Sequence, residues 1–97
     1  MDNKEKWTIT EEEKNNFINS LTNELSALRA KAGVSQDDLA KFIGISRQTY
    51  GSIERKKKKM SWNVYMSLLL FFDYNKSTHN MLRQLSTFPT DLINKFN

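Results

Sequence analysis

The sequence predicts an all-α fold of five helices with a short extra C-terminal turn. Three observations lead there. Apolar residues recur at intervals of three and four along most of the chain, one proline and three glycines leave long helices unbroken, and Ser or Thr stands ahead of the main apolar runs. Ninety-seven residues are one domain's worth of chain, enough for a compact core but not for a binding domain plus a separate effector domain. The expected division is a flexible arm over 1–9, the folded domain over 10–88 and a tail over 89–97.

The first helix is expected to start at Thr10, because Thr10 and Glu13 have the capping-box spacing and Ile9 stands in front as a staple. Phe17, Leu21, Leu25, Leu28 and Ala32 then form one apolar stripe, and Gly33 ends the helix. Ser35 caps a second helix whose inner face is Leu39, Ala40 and Ile43, with Asp38 favouring its first turn and Gly44 closing it. Only Ile45 separates that stop from the next cap, Ser46. A short helix, a turn containing glycine and a second short helix form a helix-turn-helix.

The third helix, Ser46 to about Arg55, divides its faces. Tyr50 and Ile53 point inward with Thr49 beside them, whereas Arg47, Gln48, Gly51, Ser52 and Arg55 form one outward stripe. That stripe lacks a large apolar side chain, and its glycine lets the helix come close to whatever it faces. Ser61 caps a fourth helix rich in Leu and aromatic residues, apolar on more than one face. Asn75 and Ser77 break it. Met81, Leu82, Leu85 and Phe88 give a fifth helix stopped by Pro89, and Thr90 opens the last turn.

Charge is unevenly placed. Residues 33–60 hold seven Lys/Arg against three Asp/Glu, and five consecutive cations run from Arg55 to Lys59. On charge alone, a polyanion partner and a solvated charged face explain this equally well. The chain has no cysteine, which excludes disulfides and thiolate chemistry, and a single histidine, His79, with no motif for a triad or a metal site. No cofactor and no metal are expected. Glu11, Glu12 and Glu13 fit the positive end of a helix rather than a catalytic pair. No phosphate-cradling glycine loop appears, so an enzyme is not the expected class. The longest apolar-rich run, Val64 to Phe72, is far short of the roughly 20 residues that span a bilayer. The N-terminus has no apolar core to act as a secretion signal, and a cytoplasmic protein is expected.

The stretch LRAKAGVSQDDLAKFIGISRQTYGSIER, with Gln36, Leu39, Ala40, Gly44, Ser46, Ile53 and Glu54 in joint register, resembles the lambda-repressor-like, or Cro-repressor-type, helix-turn-helix family of bacterial and phage regulators. The likeness covers roughly Leu25 to Tyr74. It implies a transcriptional regulator that binds double-stranded DNA as a dimer on paired half-sites. It also implies roles: Arg47, Gln48 and Ser52, with Gly51 on the same face, at base edges, and Gln36, Ser46, Thr49, Arg55, Lys56, Lys57 and Lys58 at phosphates. Where the family has a polar residue and then glycine after Glu54, this chain has Arg55 and Lys56.

Physical chemistry supports that reading from another side. Arg can bond bidentately to guanine and Gln to adenine in a groove wide enough for one helix. The lysines cannot read sequence and would add salt-dependent affinity. RNA binding lacks an aromatic stacking platform. The apolar excess of the fourth helix and tail predicts a homodimer through Leu85, Phe88, Leu92 and Phe96. The alternatives are a tail folded over its own fourth helix, or an antitoxin-like module whose C-terminal region binds a protein partner.

Overall fold

The computed structural model describes residues 8–85, and among them every regular element is a helix. α1 spans Glu11–Ala32, α2 Gln36–Ile43, α3 Arg47–Glu54, α4 Trp62–Tyr74 and α5 His79–Gln84, which gives the expected five-helix all-α class. Residues 1–7 of the expected arm and the whole expected tail, with its extra turn, lie outside the described residues.

The starts of α1 to α4 are each fixed by a short-range hydrogen bond. The Thr10 hydroxyl accepts from the Glu13 N–H at 3.1 Å, and the Glu13 carboxylate accepts from the Thr10 N–H at 2.9 Å. Ser35 and Asp38 form the same reciprocal pair at 3.0 and 2.9 Å. Ser46 and Ser61 accept from the Thr49 and Val64 N–H groups. Gly33 and Gly44 end α1 and α2 in the left-handed conformation, at φ 72° and 90°.

α1 packs against α3 and α4, while α2 packs chiefly on α3 and α5 on α4. Leu21, Leu25 and Leu28 are fully buried and Ile18 nearly so. Complete burial of such a side chain contributes roughly 1.5–3 kcal/mol, so tertiary contact rather than intrinsic helicity holds α1. The stripe expected to start at Phe17 starts instead at Ile18. Phe17 is half-buried at the edge of the core, its ring 6.3 Å from those of Trp62 and Tyr65.

α3 is one residue shorter at each end than Ser46 to Arg55, because both of those residues serve as caps: Ser46 is extended and Arg55 has φ −81° and ψ 1°. The chain then leaves α3 through a left-handed residue that is not glycine. Lys56 has φ 65°, its N–H donates to Ile53 O at 3.0 Å, and the Lys57 N–H donates to Ser52 O at 2.8 Å. These two bonds make a Schellman closure with lysine in the usual glycine place. Met60, 2% exposed, anchors the far end of the loop in the core.

α4 buries Tyr65, Leu68 and Phe72 but leaves Met66, Leu70 and Tyr74 open among the described residues, so its apolar surface is not wholly enclosed there. α5 begins earlier than the Met81 to Phe88 pattern suggested. The buried Thr78 hydroxyl donates to Phe72 O at 2.7 Å and the Leu82 N–H donates to Thr78 O at 2.8 Å, which sets the first turn at His79. α5 ends at Gln84 because Leu85 is already extended. Arg83 ties it to α4 through two bonds to Asp73, at 2.8 and 2.9 Å.

A side chain in the left-handed region costs about 1 kcal/mol relative to the right-handed one. Lys56→Gly should therefore raise the thermal midpoint followed by circular dichroism, by up to about 4 °C. A lowered midpoint would mean that the Lys56 side chain contributes more than its backbone strain.

Candidate nucleic-acid interface

Glu54, the last residue of α3, sets the orientation of the outward stripe. Its side chain is 9% exposed, and the Arg29 guanidinium of α1 donates to both carboxylate oxygens, at 3.1 and 3.0 Å. Ser26 Oγ and Gln36 Nε2 donate to the same carboxylate at 3.2 and 3.4 Å. α1, α2 and α3 therefore meet at one partly buried charge. Burial alone would raise the Glu54 carboxyl, but the Arg29 hydrogen bonds and charge outweigh it and hold it below the ordinary glutamate range. The hydrogen bond to Glu54 likewise raises Arg29. Tyr50 is fully buried as expected, and burial pushes its phenol above the ordinary range. Its hydroxyl lies near the Glu54 and Arg29 charges without a hydrogen bond of ordinary geometry.

The sequence-predicted residues separate into three groups. Arg47 and Gln48 are exposed in the first turn of α3, and neither forms a side-chain hydrogen bond or ion pair among the described residues. Ser52 is half-exposed one turn further on. Ser46 and Thr49 are joined, Ser46 Oγ donating to Thr49 Oγ1 at 2.9 Å.

Gly51 requires a correction. It was expected to lie open on the outward stripe, but it is buried, because the Arg55 side chain folds back over it. A Cβ at position 51 would stand 3.0 Å from Arg55 Nη1 and 3.5 Å from Gln36 Oε1. The glycine makes room for a neighbouring guanidinium. Gln36, expected at a phosphate, lies in the first turn of α2 with its amide donating to Glu54 at the end of α3.

The loop cations form the third group. Arg55 to Lys59 are all exposed, and none has an acidic partner among the described residues. Lys59 Nζ donates to Asn15 Oδ1 of α1. Of the expected dimer residues, Phe88, Leu92 and Phe96 lie outside the described residues, and Leu85 is half-buried against its own core. Among the described residues no cluster of His, Asp and Glu is placed to hold a metal ion.

A helix-turn-helix family model matches residues 25–61. An HTH-type transcriptional regulator of Methanocaldococcus jannaschii, itself uncharacterized, is 38% identical over 52 residues, covering 54% of this chain and 79% of the relative. The chain belongs to the lambda-repressor-like helix-turn-helix family. This relative is archaeal, so the likeness is not confined to bacterial and phage regulators. No solved structure matches significantly. In this helix-turn-helix protein the matched segment holds the end of α1, α2, α3 and the basic loop, while the first part of α1, α4 and α5 lie outside it.

The sequence supplies Glu54 as a family position without its partner, and the structure supplies Arg29. The pair is only partly buried, with the Arg29 side chain 24% exposed, so Glu54→Ala should cost about 1–2 kcal/mol in denaturant unfolding, less than loss of a partner in a fully buried pair. Because the folded-state pKa of Glu54 is depressed, the pair's stabilisation is present above the unfolded glutamate value of about 4.3 and is lost as pH falls through the lower folded value. Wild-type stability should drop below about pH 4 more steeply than that of Glu54→Ala; equal slopes would dissociate the pair from acid unfolding.

Proposed function

We propose that this protein is a sequence-specific regulator of transcription that binds double-stranded DNA, seating α3 in the major groove. The observation that carries the reading is the placement of Arg47 and Gln48, exposed and uncommitted in the first turn of α3, beside a loop of five cations with no acidic partner among the described residues. The first turn is the end of a recognition helix that usually enters the groove. A bidentate Arg or Gln contact gives roughly 1–3 kcal/mol of discrimination between bases. Lys56, Lys57 and Lys58 lie along the backbone and supply affinity for any sequence. A site that overlaps a promoter would make the protein a repressor by exclusion of polymerase.

Arg47→Ala should relax preference at one base position in selection from random duplexes, while total affinity falls modestly. Replacing Lys57 and Lys58 with Ala should weaken binding to all duplexes alike and reduce the slope of log affinity against log salt by about 1.8. An unchanged selected motif for Arg47→Ala would remove α3 as the reader.

The reading includes a homodimer on paired half-sites. Phe42, Leu70 and Tyr74 are 51%, 53% and 81% exposed and, with Phe71 and Asn75, line one apolar groove on α2 and α4. The chain after Leu85, with Phe88, Leu92 and Phe96, joins that contact in the proposed dimer. Sedimentation at high micromolar concentration should give a dimer for the wild type and a monomer for Leu70→Lys. A wild-type monomer would remove the dimer and leave the antitoxin-like module, whose C-terminal region binds a protein partner, as the alternative.

A further inference from the structure

α1 starts at Glu11, well before the matched segment opens at residue 25, and this added length runs beside the basic loop. Asn15, Asn19, Thr22 and Asn23 follow one another at helical spacing, so they share one side of α1. Asn19, Thr22 and Asn23 form one wall of a cleft of about 240 Å³, and Lys56 to Lys59 form the other. The cleft is several times the roughly 30 Å³ share of one water, room enough for a phosphate group.

The chemistry of the two walls is complementary. Asn19 and Asn23 are exposed and make no side-chain hydrogen bond among the described residues. Lys56, Lys57 and Lys58 face them without a counter-charge, and none of the α1 glutamates lines the cleft. Lysine brings charge, and an amide N–H brings a directional donor that carries none. The lysine wall is also tied to α3. Ser52 O accepts from the Lys57 N–H at 2.8 Å and from the Lys58 N–H at 3.2 Å, so the loop that forms the cleft is fastened to a stripe residue.

We infer that the Asn19 and Asn23 side of α1, together with the lysine loop, is a seat for phosphodiester groups of the duplex backbone, extending the footprint past the helix-turn-helix. The inference rests on the DNA-binding reading above. A duplex strand leaving α3 at Ser52 passes Lys57 and Lys58 and meets the α1 amides next, and each seated phosphate takes an ammonium from one wall and an amide N–H from the other.

The test is anisotropy of a labelled duplex with the full chain, once on the selected site and once on random sequence. Asn19→Asp and Asn23→Asp should each weaken both duplexes roughly tenfold at low salt, since a carboxylate then stands where a phosphate sits. Lys76→Gln makes the same change in net charge at the exposed α4–α5 turn and should stay within about twofold of wild type. Asn19→Ala with Asn23→Ala should weaken binding about threefold and leave the salt slope unchanged, because an uncharged donor releases no counterion. Both asparagines are exposed, and unchanged thermal melts would verify that each variant folds. Asn19→Asp and Asn23→Asp indistinguishable from Lys76→Gln would overturn the seat. If Arg47→Ala still altered the selected motif in that case, the DNA-binding reading would stand and the seat alone would fall. A wild type that bound no duplex would overturn both.

Discussion

The partly buried carboxylate of Glu54 is the constraint on which the arrangement of α1, α2 and α3 depends. α3 has only eight residues and buries only Tyr50, Gly51 and Ile53, too few apolar contacts to fix both its tilt and its rotation. Apolar contacts are non-directional, whereas the two-oxygen contact with the Arg29 guanidinium has defined geometry. A carboxylate 9% exposed would be costly alone. Arg29, Ser26 and Gln36 offset that cost from two other helices, so the fit is good only when all three helices are in place. Arg47 and Glu54 stand at opposite ends of α3, about 10 Å apart along its axis. A tilt of about 5° at the clamp would move the start of α3 by about 1 Å, enough to spoil a bidentate contact.

The end of α3 shows how one side chain's absence sets the place of another. With no side chain at Gly51, the Arg55 guanidinium lies over the helix beside Gln36. The nearest atom to an added Cβ belongs to the flexible end of Arg55, not to backbone. Residue type at position 51 therefore controls where the first cation of the loop rests, and with it the charge close to Ser52, without altering the helix.

The starts of α1 to α4 and the ends of α1 and α2 were legible because each is decided within a few residues. Thr10 with Glu13, Ser35 with Asp38, Ser46, Ser61, Gly33 and Gly44 all act through the nearest backbone groups. Exposure of Arg47 and Gln48 followed from the same helical period that buries Tyr50 and Ile53. What escaped depends on long-range packing. A helical period places Gly51 on a face but is silent about a long side chain folding back over it. The same period cannot say whether Phe17 or Ile18 turns to the core, which depends on the Trp62 and Tyr65 rings. Arg29 and Glu54 are 25 residues apart, with no local pattern to join them. The start of α5 rests on a buried hydroxyl reaching back to Phe72.

Lysine at position 56 is explained by where the loop sits. Five adjacent cations repel one another, and one of them is in a backbone conformation that glycine would adopt at less cost. Yet the loop begins at the C-terminal end of α3, where unpaired carbonyls and the helix dipole favour positive charge by about 0.3–1 kcal/mol per group. The backbone N–H groups of Lys56, Lys57 and Lys58 all donate to α3 carbonyls, which holds the lysines at that end. Part of the repulsion is thus met inside the fold, before any partner arrives. A loop already fixed in this shape would lose little conformational freedom in the phosphate contact proposed for it, and that contact would relieve the remaining charge.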